Sequence, residues 1–522
     1  MTCKNTAIRL IGALLGAAVF LSGCGGASAP VPDTAGPFAI RLYDDVGSFD
    51  PALTNSGPGY QLSMFLYDRL VVVSGGQVKS YLATSWKVAA KRVVFTIKDG
   101  VTCADGTKLT PTAIAGSLTR ALAPTTKSPI APSLFEGGAT FKADDQAGTV
   151  TAETGKPNPA LLLTFANPVL SIVCPAGVED PKRLSKASAG SGPYVLSKAV
   201  TGSEYTLERR KGYAWTPETT AGNVSSLPDV VVAKVLQNET TAANVFLQGQ
   251  LNITNSSNED AVSRIRARGF AEKRSPNALG FLLFNQAQGP GADPAVRKAI
   301  AQAVDPAAYA AAAQGKLATP SANLLPAETT ICAQTDGAAY RPEVDLAAAR
   351  KTLEADGWTK GPDGIYQKSG KQLVLRVGSH NQEGSAGDYL TQTLIDLGAK
   401  AQGKQVELPA YIETVRKGDW DVYAATLAVG DSPATLAPLI FGPGALDLGH
   451  IRNVTFEREM TAAGVAPDFK STCGHWRAAQ DALVKNLDVV PRAHYNNIYF
   501  GNHASYQFGF AALIEPTSIK RD

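Results

Sequence analysis

Along most of the chain, short β-rich runs alternate with runs whose apolar residues recur at helical spacing, and no repeat period emerges. Val93-Val94-Phe95-Thr96-Ile97 is rich in β-branched and aromatic residues and stops at Asp99-Gly100, which predicts a strand closed by a turn. Thr110-Pro111 predicts a helix start, with a capping hydroxyl followed by proline at the first helical position. Asp293-Pro294 repeats that signal, and Val296, Ile300 and Val304 then share one face. Asp305-Pro306 opens a further helix that Gly315 ends. Asp345 caps another, with Leu346, Ala349 and Leu353 inward and Gly357 at its end. Pro362-Asp363-Gly364 predicts a hairpin turn, and Leu373, Leu375 and Val377 alternate on one strand face. The sum is a mixed α/β protein with several sheets.

The amino terminus follows a different pattern. Lys4 and Arg9 flank the start of an apolar run, Leu10 to Phe20, which leads into Leu21-Ser22-Gly23-Cys24. A basic start, a short apolar stretch and small residues before a cleavage point predict a secretory signal over residues 1–23. The run falls short of the roughly 20 residues that a bilayer span needs. Leu-Ser-Gly-Cys resembles the bacterial lipobox, which implies that Cys24 is acylated and becomes the first mature residue. Several acyl chains, at about 0.8 kcal/mol per buried CH₂, would then hold the protein to the membrane. A plain signal peptide with an incidental cysteine is the alternative. Residues 24–37, rich in Gly, Ala, Ser and Pro, predict a flexible tether. The expected location is the extracytoplasmic face of the cell membrane.

A chain of 522 residues exceeds the roughly 250–300 at which single cores stop growing, so two or more lobes are expected. The net charge of +3 includes Lys4 and Arg9, so the body is nearly neutral, and no basic run points to nucleic acid. Of the six cysteines, Cys3 leaves with the signal and Cys24 goes to lipid. Cys103, Cys174, Cys332 and Cys473 remain, an even number in an oxidising compartment, with three pairings open and free buried thiols as the alternative. Neither these cysteines nor the five histidines show metal-ligand spacing. There is no HExxH, no GxSxG and no Cys/His pair with nucleophile logic, so neither an enzyme nor a bound metal or cofactor is expected.

Several ordered segments form a set along the chain. They begin with Ser48-Phe49-Asp50-Pro51-Ala52 and Phe65-Leu66-Tyr67-Asp68-Arg69-Leu70. The most specific run is Leu82-Ala83-Thr84-Ser85-Trp86 through Thr96-Ile97-Lys98-Asp99-Gly100-Val101 to Asp105-Gly106-Thr107. Gly190-Ser191-Gly192-Pro193-Tyr194, Leu207-Glu208-Arg209 with Tyr213-Ala214-Trp215, and Phe284-Asn285 before Val296-Arg297-Lys298-Ala299-Ile300 complete the set. Together they resemble one family, the extracellular solute-binding proteins of the oligopeptide/dipeptide/nickel class (family 5). Most of these residues read as structure: Trp86, Phe95 and Val101 as core, the Asp-Gly pairs as turns.

The resemblance implies a two-lobed periplasmic-binding-protein-like α/β fold (class C type), with a subdomain inserted in lobe one and a hinge crossed twice, near Pro276–Phe284 and near Arg492–Asn497. Mapped here, lobe one takes 38–75, 190–275 and 496–522, the insertion 76–189 and lobe two 276–495. Cys103–Cys174 and Cys332–Cys473 are the favoured disulfides because each then closes within one lobe. The implied role is capture of a peptide-like solute for an ABC permease pair and its cytoplasmic ATPase, by a monomer. Peptide-binding relatives receive the ligand ammonium on an aspartate in a Trp-x-x-Asp segment. Asp431 falls at that position, although Ala428 stands where the motif has tryptophan, and a turn-capping aspartate is the alternative. Gln382, Glu383 and Ser385, after the strand ending near Gly378, are expected to line the cleft, and Tyr60 lies where relatives approach ligand. Ala428 keeps two further readings in view: a sensor or regulator of envelope synthesis, and a binder of oligosaccharide, glycolipid or metal chelate.

Overall fold

A computed structural model describes residues 36–74, 77–135, 137–158, 160–220, 224–328, 330–334, 336–428, 441–442, 447–466 and 468–522. Local capping chemistry sets the helices. The Thr110 hydroxyl accepts from the Ala113 N–H at 3.2 Å and starts Pro111–Leu122. Asp293 accepts from the Ala295 N–H at 2.9 Å and starts Pro294–Ala303, whose Val296 and Ile300 are buried, as is Val304 just past its end. Asp305 opens Pro306–Gln314 and Asp345 opens Leu346–Ala355 by the same device. Gly357 follows the latter with φ +88, a conformation that a side chain would strain.

One large sheet organises the described residues. Its strands run in the order Lys400–Val406, Val374–His380, Val422–Ala428, Ala271–Phe284, Val489–Gly501, Ile253–Ser256, Phe38–Leu42, Val230–Val235, Glu204–Arg209 and Tyr194–Val200, with Thr319–Pro320 added beside Val489–Gly501. Parallel pairs occur in both parts: Phe38–Leu42 with Val230–Val235, and Val374–His380 with Lys400–Val406. The unbroken apolar run Phe281–Phe284 suits a strand buried on both faces. Leu282 and Phe284 join Val422 and Ala424 against Ile300, Leu390 and Leu394. Phe281 and Leu283 face the other way, with Tyr423, Ala425 and Leu483. Phe38, Ile40, Tyr205 and Val231 pack a third core at the opposite part of the sheet.

A four-stranded antiparallel sheet, Ala83–Ala89, Arg92–Ile97, Thr149–Thr154 and Ala139–Asp144, carries a separate core with Phe95 and Val101 buried. Trp86 is only half-buried, because its strand is the sheet edge and one flank has no neighbouring strand. The dispersed motif residues meet here as structure. The buried Asp68 carboxylate accepts from the Trp215 indole N–H at 2.8 Å and from the Tyr81 hydroxyl. Gly192 lies against the Leu66–Tyr67 backbone, where a Cβ would sit 2.5 Å from the Leu66 carbonyl carbon. Arg120 grips Asp50 with two hydrogen bonds of 2.9 and 2.7 Å, both side chains nearly buried. Cys103 is bonded to Cys174 and Cys332 to Cys473. A small apolar cluster joins Ala160 and Leu163 to Ile331, the Cys332–Cys473 pair and Trp476, so the segment around 160 packs on the carboxy-terminal third of the chain.

Candidate functional site

Two long strands, Ala271–Phe284 and Val489–Gly501, run through both parts of the large sheet, and their register breaks at the crossing. Pro276 lies opposite Asn496 and Ala278 opposite Tyr495, which leaves Asn277 as an extra residue outside the ladder. Proline has no N–H to give, so the ladder is weakest at Pro276, and the bulge re-aims the side chain beside it. A cavity of about 240 Å³ opens at this bulge. Ser275, Asn277, Asn497 and Tyr499 line it from the crossing strands, and Tyr43 and Tyr60 from the amino-terminal part of the fold.

Local folding positions the two outer tyrosines. The Ser56 hydroxyl accepts from the Gly59 N–H at 3.3 Å and caps Gly57–Leu66, which puts Tyr60 in its first turn. The Tyr60 ring meets Phe510 edge-on at 5.8 Å. Gly57 lets the Tyr43 hydroxyl come close, in space that any Cβ would occupy. Ala511 at the rim and the neighbouring Ala512 both have positive φ, 47 and 57, a strained pair next to the opening.

None of the described lining residues is charged: tyrosine, asparagine and serine side chains sit among Gly57, Pro276, Ala511 and Leu513. Burial pushes the Tyr60, Tyr43 and Tyr499 phenols up, so all three keep their protons. Arg41, near enough to Tyr499 to act on its phenol, is spent on main-chain carbonyls, donating to Leu236 at 2.8 Å, to Gln237 at 3.1 Å and to Asn255.

Of the residues expected at the site, Tyr60 lines the cavity, and Gln382, Glu383 and Ser385 do not. Gln382 and Ser385 are exposed around the short turn Asn381–Glu383. That turn folds Glu383 back into the protein, where it is fully buried. One carboxyl oxygen accepts from Tyr495 at 2.5 Å and from Tyr309 at 3.4 Å, and the other lies 3.4 Å from His380 Nε2. Burial raises the Glu383 carboxyl to about 7 and pushes the His380 imidazole down, so both are biased to their neutral forms. Cys24 and Asp431 lie outside the described residues. Asn277 and Asn497 fall within the expected hinge crossings but are not expected as ligand contacts, and Tyr499 carries no sequence signal.

Residues 77–444 match the sequence profile of the bacterial extracellular solute-binding proteins, family 5, middle region. The chain belongs to this family. It is 26% identical over 485 residues to the periplasmic murein peptide-binding protein MppA of Escherichia coli (strain K12), across 88% of this chain and 87% of that protein. The unliganded open form of MppA superposes with a TM-score of 0.77 at 22% identity, over 93% of this chain and 97% of that one. A substrate-binding protein from Microbacterium hydrocarbonoxydans, complexed with 4-hydroxybenzoate hydrazide, gives 0.65 at 26% identity, over 93% and 99%. The fold is thus the two-lobed solute-binding fold, and the chain is a solute-binding protein.

Proposed function

We propose that this family 5 protein is a lipid-anchored extracytoplasmic receptor that captures a peptide-like solute at the strand crossing and delivers it to an ABC importer. The observation that carries the reading is the cavity at the hinge bulge, where neither Asn277 nor Asn497 hydrogen-bonds through its side chain to another described residue. Amides without a side-chain partner, together with neutral phenols, suit a ligand that closes two lobes on itself, and closure is favoured by the ligand's excess affinity for the closed form. The MppA relative is named for binding murein peptide, which supports a peptide-like cargo. The register break at Pro276–Ala278 and Asn496 supports a first lobe of 38–75, 190–275 and 496–522, an insertion of 76–189 and a second lobe of 276–495. The basic, apolar and Leu-Ser-Gly-Cys elements support signal cleavage before Cys24 and its acylation. Asp431 is the proposed contact for the ligand ammonium, on its position in the Trp-x-x-Asp-like segment.

Native mass spectrometry of the purified protein, followed by a thermal-shift screen of peptides, tests the reading. A peptide with a Kd of 1 μM at 100-fold excess adds about 2.7 kcal/mol of stability. A screen in which no peptide shifts the transition removes the peptide reading. Palmitate labelling that survives Cys24→Ser removes the anchor. Asp431→Asn should weaken free-amine peptides and spare N-acetylated ones, and equal loss for both defeats that contact.

A further inference from the structure

We propose that the hinge-end cavity takes an uncharged planar group of the solute, a carboxamide or an aromatic ring, and rejects a free carboxylate or ammonium there. The inference rests on the reading of the cleft as the solute site. At about 240 Å³ the cavity is smaller than the roughly 300–1,000 Å³ that whole small-molecule ligands occupy, so it holds one end of a ligand. Three tyrosines and two asparagines supply ring faces, amide donors and acceptors and phenolic hydroxyls. None of the described lining residues carries a charge.

The charged side chains close by in the chain are committed elsewhere. Lys273, in register with Tyr499, donates its ammonium to the Tyr506 carbonyl and sits 4.7 Å over the Tyr506 ring. Asp45 accepts from the Tyr205 hydroxyl, and Asp44 accepts from the Gln237 amide at 2.7 Å. Arg41 is held by three carbonyls. An ion entering the cavity therefore loses water without gaining a counter-charge, whereas an amide or ring exchanges water for matched neutral partners. Offset or edge-on ring contacts with Tyr43, Tyr60 and Tyr499 add to this only for a planar group.

The test compares benzamide, benzoate and benzylamine on the purified full chain by calorimetry, alongside the peptide screen. Benzamide should bind at least about ten-fold more tightly than either ion, a difference of about 1.4 kcal/mol. Asn277 is exposed, so Asn277→Asp should fold normally and shift the preference toward benzylamine by about ten-fold, which locates binding at this cavity. Benzoate or benzylamine binding as well as benzamide overturns the inference, as does an Asn277→Asp protein with an unchanged ranking. Binding of peptides without binding of any of the three probes also overturns it and leaves the peptide reading standing. Selective benzamide binding with no peptide bound keeps the inference and removes the peptide cargo.

Discussion

The Glu383→Gln variant tests the buried acid bonded to Tyr495 of the Val489–Gly501 strand through the pH dependence of stability. In the folded protein the Glu383 carboxyl meets the Tyr495, Tyr309 and Thr426 hydroxyls and a His380 imidazole that burial biases to neutrality, and burial raises it from 4.5 to about 7. A group raised on folding holds its proton to higher pH in the folded state than in the unfolded one. Its stabilising contribution is therefore complete below pH 4.5 and is lost as the pH climbs to about 7. Each pH unit in that window is worth about 1.4 kcal/mol, so the loss amounts to about 3 kcal/mol. The glutamine amide of the variant resembles the protonated acid and does not titrate. His380 is biased to neutrality by its own burial but lies 3.4 Å from the carboxyl, so the same pair is also compared on a His380→Asn background, which removes its titration from the difference. Urea unfolding of both proteins, followed by tryptophan fluorescence between pH 4.5 and 8, measures the difference. The variant should gain about 3 kcal/mol relative to the parent across the window, whatever constant offset the amide introduces. Curves that stay parallel to within about 0.5 kcal/mol would show that Glu383 ionises as easily inside the protein as outside. Because Tyr495 lies on the Val489–Gly501 strand opposite Ala278, the charged state is also expected to loosen the bulge beside the cavity.

Asp50→Ala leaves the Arg120 guanidinium buried without its partner and should cost about 3–5 kcal/mol by chemical denaturation, while loss under about 1 kcal/mol would mean that water repairs the site. Gly192→Ala forces a methyl group to 2.5 Å from the Leu66 carbonyl carbon and should cost about 1–3 kcal/mol, with neighbouring Ser191→Ala much milder. Replacing Cys103 and Cys174 together by alanine opens a loop with a sequence separation of 71, which loop entropy rates at about 4 kcal/mol. An unchanged melting temperature for that double variant would mean that the crosslink is absent from the protein in solution.

The helices were legible because their signals are local. A capping oxygen and the N–H it accepts lie two or three residues apart, so Thr110, Asp293, Asp305 and Asp345 could each be read without knowing what the helix packs on. Strand existence was legible for the same reason, but strand position was not. Trp86 reads as core by its size and motif, yet it is half-exposed because only sheet order reveals that its strand is an edge. Glu383 shows the same limit at closer range. Its place after a strand end suggested the cleft, and the turn Asn381–Glu383 then sends it inward.

The cavity was the least legible feature because its parts become neighbours only through long-range pairing. Ala493-His494-Tyr495-Asn496-Asn497-Ile498-Tyr499 mixes polar and aromatic residues at both parities, so alternation cannot say which of them face a ligand. The answer depends on which residue of a distant strand lies opposite. With Pro276 opposite Asn496 and Asn277 left over, Asn497 and Tyr499 fall on the cavity side together with Ser275 and Asn277. Asn496, on the other parity, turns its amide to Leu317 and His494 carbonyls and the Thr319 hydroxyl. One proline thus divides a polar run into residues bonded within the fold and residues that line the cavity, at the strand crossing we propose as the hinge.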